Sequence, residues 1–124
     1  MIHLDTNFLV GLAHNSFRED GLLRRWLADG RPLGTSAVAW AEFLCGPLQP
    51  GAEPKVRSLV GEPEPFTSDD ATRAAELFNA TGRRRGSLTD CMIAAVALRF
   101  DAAVATSDAA HFSRFVSLGL KIAE

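Results

Sequence analysis

Short apolar runs alternate along this chain with segments of helical period, and that alternation constrains the fold more than any other feature. Strand candidates lie at 1–5 (MIHLD), 32–35 (PLGT), 64–66 (EPF), 102–106 (AAVAT) and 120–123 (LKIA). Helical patterns occupy 7–14, 18–29, 37–46, 55–60, 69–81, 88–100 and 109–115. Strands separated by helices must cross over rather than turn back in hairpins, which makes them parallel neighbours in a sheet with helices on its faces. From Cys91 to Leu98 every residue is apolar, the pattern of a helix buried all round. The pattern predicts an α/β fold of three layers, with a central parallel sheet wrapped by helices.

A chain of 124 residues, 47% hydrophobic and 23% charged, has the material for one domain with its own core. The formal net charge of −2 excludes a global basic field as the means of attracting nucleic acid, though not a local patch. Cys45 and Cys91 stand in helix-like apolar stretches without CxxC spacing, and are expected to be small buried hydrophobes in a reducing compartment. The stretch GPLQPGAEP at 46–54 reads as a surface loop. No signal peptide is apparent, and no apolar run approaches the ~20 residues that span a bilayer, so a cytoplasmic protein without membrane contact is expected.

Most of the acids, Glu19 and Asp70 among them, are assigned to loops, caps or polar helix faces. Four are harder to place. Asp5 ends the first strand run, where open α/β sheets put their ligand sites. Glu42 lies in TSAVAWAEFLCG, too far past Ser36 to cap the helix and expected beside apolar surface. Asp90 opens the apolar helix in GSLTDCMIAAVALRF, where the helix dipole favours negative charge. Asp108 follows the AAVAT run and repeats the placement of Asp5.

Each has a local explanation. Asp5 and Asp108 can cap the helices that follow them, and Glu42 can reach water from a mostly buried helix. Asp90 can complete a capping box with Ser87, as Asp70 can with Thr67. A shared site accounts for all four at once. Crowded carboxylates cannot all ionise without a cation, and oxygen donors lacking thiolates or a histidine pair suit Mg²⁺ or Mn²⁺ rather than zinc. Such a metal activates water and neutralises phosphate, which phosphodiester hydrolysis requires.

The segments MIHLDTN, AWAEF, SLTDCMIAAVAL and AVATSDAAHF, in that order, give the chain a form that resembles the PIN-domain nucleases, in particular the small VapC-type ribonuclease toxins. The resemblance covers essentially the whole chain, 1–124, as a single PIN-like α/β/α domain. It implies that Asp5, Glu42, Asp90 and Asp108 form a divalent-metal site at the carboxyl ends of a parallel sheet. It also implies hydrolysis of RNA, a homodimer, and inhibition by a small VapB-like antitoxin. Ser107 departs from the basic or amide residue that many relatives carry there.

Beside those acids, Thr6 and Asn7 are candidates to orient Asp5, with helix capping as the alternative. Arg83, Arg84 and Arg85 precede the Asp90 helix and could hold RNA phosphates, pair with an antitoxin, or sit in a solvated loop. His111 lies one turn after Asp108 and could orient substrate or serve the fold alone. Trp26 and Trp40 sit among apolar neighbours as core or dimer contacts. Without tyrosine, base reading by aromatic stacking has little support.

Three alternatives compete with this reading. An aspartyl-phosphate phosphohydrolase would use Asp5 as nucleophile but needs an acid where Asn7 stands. A phosphoacceptor receiver domain needs a late lysine at a strand end, and the two lysines here are Lys55 and Lys121, the latter inside the last strand run. An inactive PIN scaffold that only binds protein or RNA keeps the fold without the chemistry.

Overall fold

The computed structural model describes all of residues 1–124. Four parallel strands form one sheet in the order β2-β1-β3-β4: β1 (Ile2–Leu4), β2 (Leu33–Gly34), β3 (Ala103–Ala105) and β4 (Lys121–Ile122). In register, Ile2 faces Leu33 and Ala103, and Leu4 faces Ala105. The expected strand at 64–66 does not form. Glu64 makes only an isolated parallel bridge to Ser36, because Pro63 and Pro65 leave Glu64 flanked by residues with no backbone donor for a ladder.

Seven helices fill the remainder: α1 (Thr6–Ala13), α2 (Phe17–Ala28), α3 (Ala37–Leu44), α4 (Ala52–Val60), α5 (Ser68–Ala80), α6 (Leu88–Arg99) and α7 (Ala109–Phe112). The expected helix at 109–115 gives way to a 3-10 turn at Ser113–Leu118 that Gly119 closes in the left-handed region. The sheet lies between helical layers in an α/β/α arrangement. Ile2, Leu4 and Val104 are completely buried within a single core of 25 residues, which includes Phe8, Trp26, Phe43, Phe112 and Phe115.

Two helix starts show how sequence sets local structure. Thr67 accepts from the Asp70 amide while the Asp70 carboxylate accepts from the Thr67 amide, the reciprocal pair expected there. Asp70 is buried nonetheless, and Arg99 at the end of α6 grips it at 2.9 and 3.0 Å, locking α5 to α6. At Ser87 the expected box is absent. Ser87 takes a helical conformation (φ −95°, ψ −4°) and donates its hydroxyl to the Arg84 carbonyl at 2.7 Å, and its side chain accepts from no amide of α6.

Candidate active site

The strand order reverses between β1 and β3, and the residues just beyond these strands therefore meet at the rim of the sheet. Asp5 follows β1, and its amide donates to the Ala105 carbonyl at 3.0 Å. Thr106 follows β3 beside it. Asp5 is 3% exposed, and its Oδ1 accepts from the Phe8 amide at 2.8 Å, so it also caps α1. Capping and site placement are thus compatible: one oxygen anchors the helix and the rest of the carboxylate faces the rim. Burial pushes the Asp5 carboxyl up to about 6, against hydrogen bonds from the Thr106 hydroxyl and the Phe8 amide, and the charge of Asp90 pushes the same way.

A cleft of about 260 Å³ opens here, lined by Asp5, Thr6, Asn7, Glu42, Thr89, Asp90 and His111 among others. Glu42 reaches it from α3, though not from an apolar environment as expected. The buried stripe of α3 runs through Ala39, Trp40 and Phe43, which leaves Glu42 exposed on the other side. Thr6 donates its hydroxyl to Glu42 Oε1 at 2.6 Å, tying α1 to α3 across the cleft. Cys45 shares the outward side and is exposed, a second departure from expectation, while Cys91 is buried.

Asp90 projects from the first turn of α6 with its side chain 27% exposed. With Ser87 turned away, no capping interaction occupies it. Its Oδ2 lies 4.0 Å from His111 Nδ1 and 3.5 Å from Arg114 Nη2. Asp108 does not line the cleft. It caps α7 through the Ala110 amide at 3.2 Å and meets the cleft only through His111, whose Nε2 lies 3.2 Å from Asp108 Oδ2. His111 accordingly stands between two carboxylates. The arginine run divides: Arg83 turns back to Asn79 Oδ1 at 3.1 Å, whereas Arg84 and Arg85 face a smaller pocket next to the cleft.

Several contributors escape a sequence reading. Thr106 matches Asp5 in position, at the end of the neighbouring strand. Glu19, assigned above to a solvated face, is 6% exposed: Ser16 and Ser107 donate hydroxyls to it, the latter at 2.6 Å. Burial pushes the Glu19 carboxyl up, but the Ser107 and Ser16 hydroxyls, its own amide and Arg18 outweigh it and hold the group below its ordinary value. The only signal was the Ser16-x-x-Glu19 spacing. Gly11 makes room for this carboxylate, since a Cβ there would stand 2.8 Å from Glu19 Cγ. Glu19 thereby anchors the turn after β3 in which the Thr106 hydroxyl accepts from the Asp108 amide at 3.0 Å. His3 is buried in β1 with neither ring nitrogen hydrogen-bonded, 5.4 Å from the Phe100 ring and directly over Gly34, where a Cβ would come within 3.2 Å.

The donors suit a hard divalent cation in kind: carboxylates of Asp5, Glu42 and Asp90, with hydroxyl and amide oxygens of Thr6, Thr89 and Asn7 around them. No three His, Cys, Asp or Glu side chains stand close enough to form a finished cage.

A family model described as the PIN domain matches residues 2–117. β4 lies beyond the matched segment but pairs with β3. No curated protein matches the chain. Among solved structures, VapBC2 from Rickettsia felis bound to a promoter DNA fragment is similar at a TM-score of 0.74 and 21% identity, covering 100% of both chains. A toxin-antitoxin complex from Klebsiella pneumoniae is similar at 0.73 and 22% identity, with 91% of each chain covered. VapBC-1 from nontypeable Haemophilus influenzae follows at 0.72 and 20% identity, covering 100% of this chain and 98% of that one. At such identities the likeness speaks to the fold.

Proposed function

This chain belongs to the PIN-domain family, and we propose that it is a divalent-metal-dependent endoribonuclease, the toxin of a toxin–antitoxin pair. The observation that carries this reading is the convergence of Asp5, Glu42 and Asp90, from three separate helix starts and faces, on one polar cleft at the reversal point of the sheet. The similar folds are those of toxin–antitoxin complexes, which supports a small antitoxin as partner. A homodimer goes with the same reading. No helix is long and apolar enough to cross a membrane.

Asp5, Asp90 and Glu42 would hold Mg²⁺ or Mn²⁺, one or two of them directly and the rest through water on the ion. When bound, the metal supplies an activated water and neutralises charge on the phosphate. The protein does the rest. Thr6 fixes the direction of Glu42, and the Phe8 amide fixes that of Asp5. His111, held between Asp90 and Asp108, can keep or pass a proton at the cleft edge. Asp108 acts here as a positioning residue for that imidazole.

The test is incubation of purified protein, free of any antitoxin, with mixed cellular RNA in Mg²⁺, Mn²⁺ or chelator. Cleavage in metal, absent in chelator and in Asp5→Asn, is the expected result. Folded protein that leaves every RNA intact in both metals refutes the enzyme reading and leaves a binding scaffold.

A further inference from the structure

Beside the acidic cleft lies a second, smaller pocket of about 160 Å³ with no hydrophobic residue in its lining. Arg84, Arg85, Arg114, Ser87 and His111 form its walls, and it shares Gly86, Asp90 and His111 with the cleft. The loop that presents Arg84 and Arg85 is held by left-handed residues on both sides, Gly82 and Arg83 before them and Gly86 after (φ +87°, +54° and +82°). Three guanidinium groups here face the single carboxylate of Asp90, a local excess of positive charge in a chain that is acidic overall.

Arg114 is the unexplained member. Its side chain is only 15% exposed, stacked 4.4 Å over the Phe115 ring, with Nη1 donating to the His111 carbonyl at 2.5 Å. Nε and Nη2 are shielded from solvent yet make no hydrogen bond; Asp90 lies 3.5 Å from Nη2, near enough to feel its charge but not bonded to it. Buried donors left unpaired are costly, and more so when charged. Arg114 thus fixes a positive charge in the pocket wall, and the exposed guanidinium forks of Arg84 and Arg85 beside it match the paired oxygens of a phosphate.

We propose that Arg84, Arg85 and Arg114 form a phosphate subsite, which takes a phosphodiester of single-stranded RNA adjacent to the linkage held in the acidic cleft. This rests on the RNA-cleaving reading given above. It supplies what that reading lacks, since a cleft of carboxylates repels a polyanion and needs a neighbouring positive grip to seat it. The subsite confers register along the strand rather than base identity, as phosphate contacts do.

Anisotropy of a labelled single-stranded RNA oligonucleotide in chelator at low salt reads the pocket apart from the chemistry. The exposed pair is replaced first, because Arg84→Ala with Arg85→Ala disturbs no buried side chain. The double variant should bind at least about tenfold more weakly, with a salt slope shallower by about 1.4, two contacts at ~0.7 each. Arg114→Lys keeps the charge and loses the fork, and should fall between it and the wild type. In cleavage, neutral methylphosphonates walked along the oligonucleotide should slow the wild type most at one linkage beside the cut, with the double variant indifferent there. Unchanged affinity and salt slope in the variants, or no RNA binding by the wild type, would overturn the subsite. If the variants lose an oligoglutamate peptide instead of RNA, the pocket belongs to an acidic protein partner. Loss of RNA binding in the variants of a wild type that cuts nothing would keep the subsite and discard the nuclease reading.

Discussion

The Thr6 hydroxyl donates to Glu42 across 2.6 Å, linking residues 36 positions apart in sequence at the mouth of the cleft. The Glu42 carboxylate accepts no other hydrogen bond, and its helix turns it toward solvent. The hydroxyl therefore supplies the one restraint that keeps this carboxylate over the cleft.

Thr6→Val keeps the branched shape at the start of α1 and removes that restraint. Because the pair is exposed, stability should change by less than about 1 kcal/mol. Metal affinity and RNA cleavage should fall roughly 10–100-fold, the usual effect of losing a partner that orients a ligand. Calorimetric titration with Mn²⁺ and a cleavage assay read the two together; unaltered metal affinity would show that Glu42 needs no orientation.

Asp90→Asn separates a metal-site role from a structural one. Ser87 does not cap α6 and Asp90 is bonded to no amide, so its conversion to a neutral isostere removes the charge contact with Arg114 and the favourable end of the α6 dipole, offset by lost repulsion from Asp5. Melting in chelator should therefore shift by less than about 1 kcal/mol in equivalent stability. The stabilisation given by excess Mg²⁺ should disappear, and cleavage with it. A variant that keeps the full Mg²⁺ stabilisation would remove Asp90 from the site.

His3 and Asp5 set opposed pH dependences in metal-free protein. Burial first, then the N-terminal ammonium and Arg99, lower His3 from 6.5 to about 4. As pH falls through that window the unfolded chain takes up a proton that the native chain refuses, and stability is lost, ~3 kcal/mol at ~1.4 per unit. Asp5 is raised from 3.8 to about 6, so over nearly the same window the native chain holds a proton that the unfolded chain lacks. Falling pH there adds a comparable amount. The wild type should be nearly flat in this range, His3→Leu should gain stability as pH falls, and Asp5→Asn should lose it. Urea melts in chelator from about pH 7 to about pH 4.5 provide the check. His3→Leu tracking the wild type would mean that His3 finds a partner on charging.

The strands at both ends of the chain and the apolar run of α6 from Cys91 to Leu98 were readable because apolar period and helix length are properties of short windows. So were Asp5 and Asp108 as residues at strand ends, and the Thr67–Asp70 box. The strand expected at 64–66 failed because Pro63 and Pro65 on either side of Glu64 deny it a ladder. Glu42 misled because neighbours in sequence are not neighbours on a helix face: Trp40 and Phe43 go inward and Glu42 does not.

What tertiary structure decided was convergence. Parallel pairing of β1 with β3 carries Asp5 and Thr106 to one rim, across about a hundred residues of chain that no local pattern spans. Packing of the segment after β3 put His111 against Asp90, left Asp108 behind it, and turned Arg114 inward while Arg83 turned away. Burial of Glu19 depended on Ser107, 88 residues distant, and on the missing side chain of Gly11. Residue types and local periods are written along the chain, whereas the environment of a charge depends on which distant segments fold over it, and the chemistry here is a property of that environment.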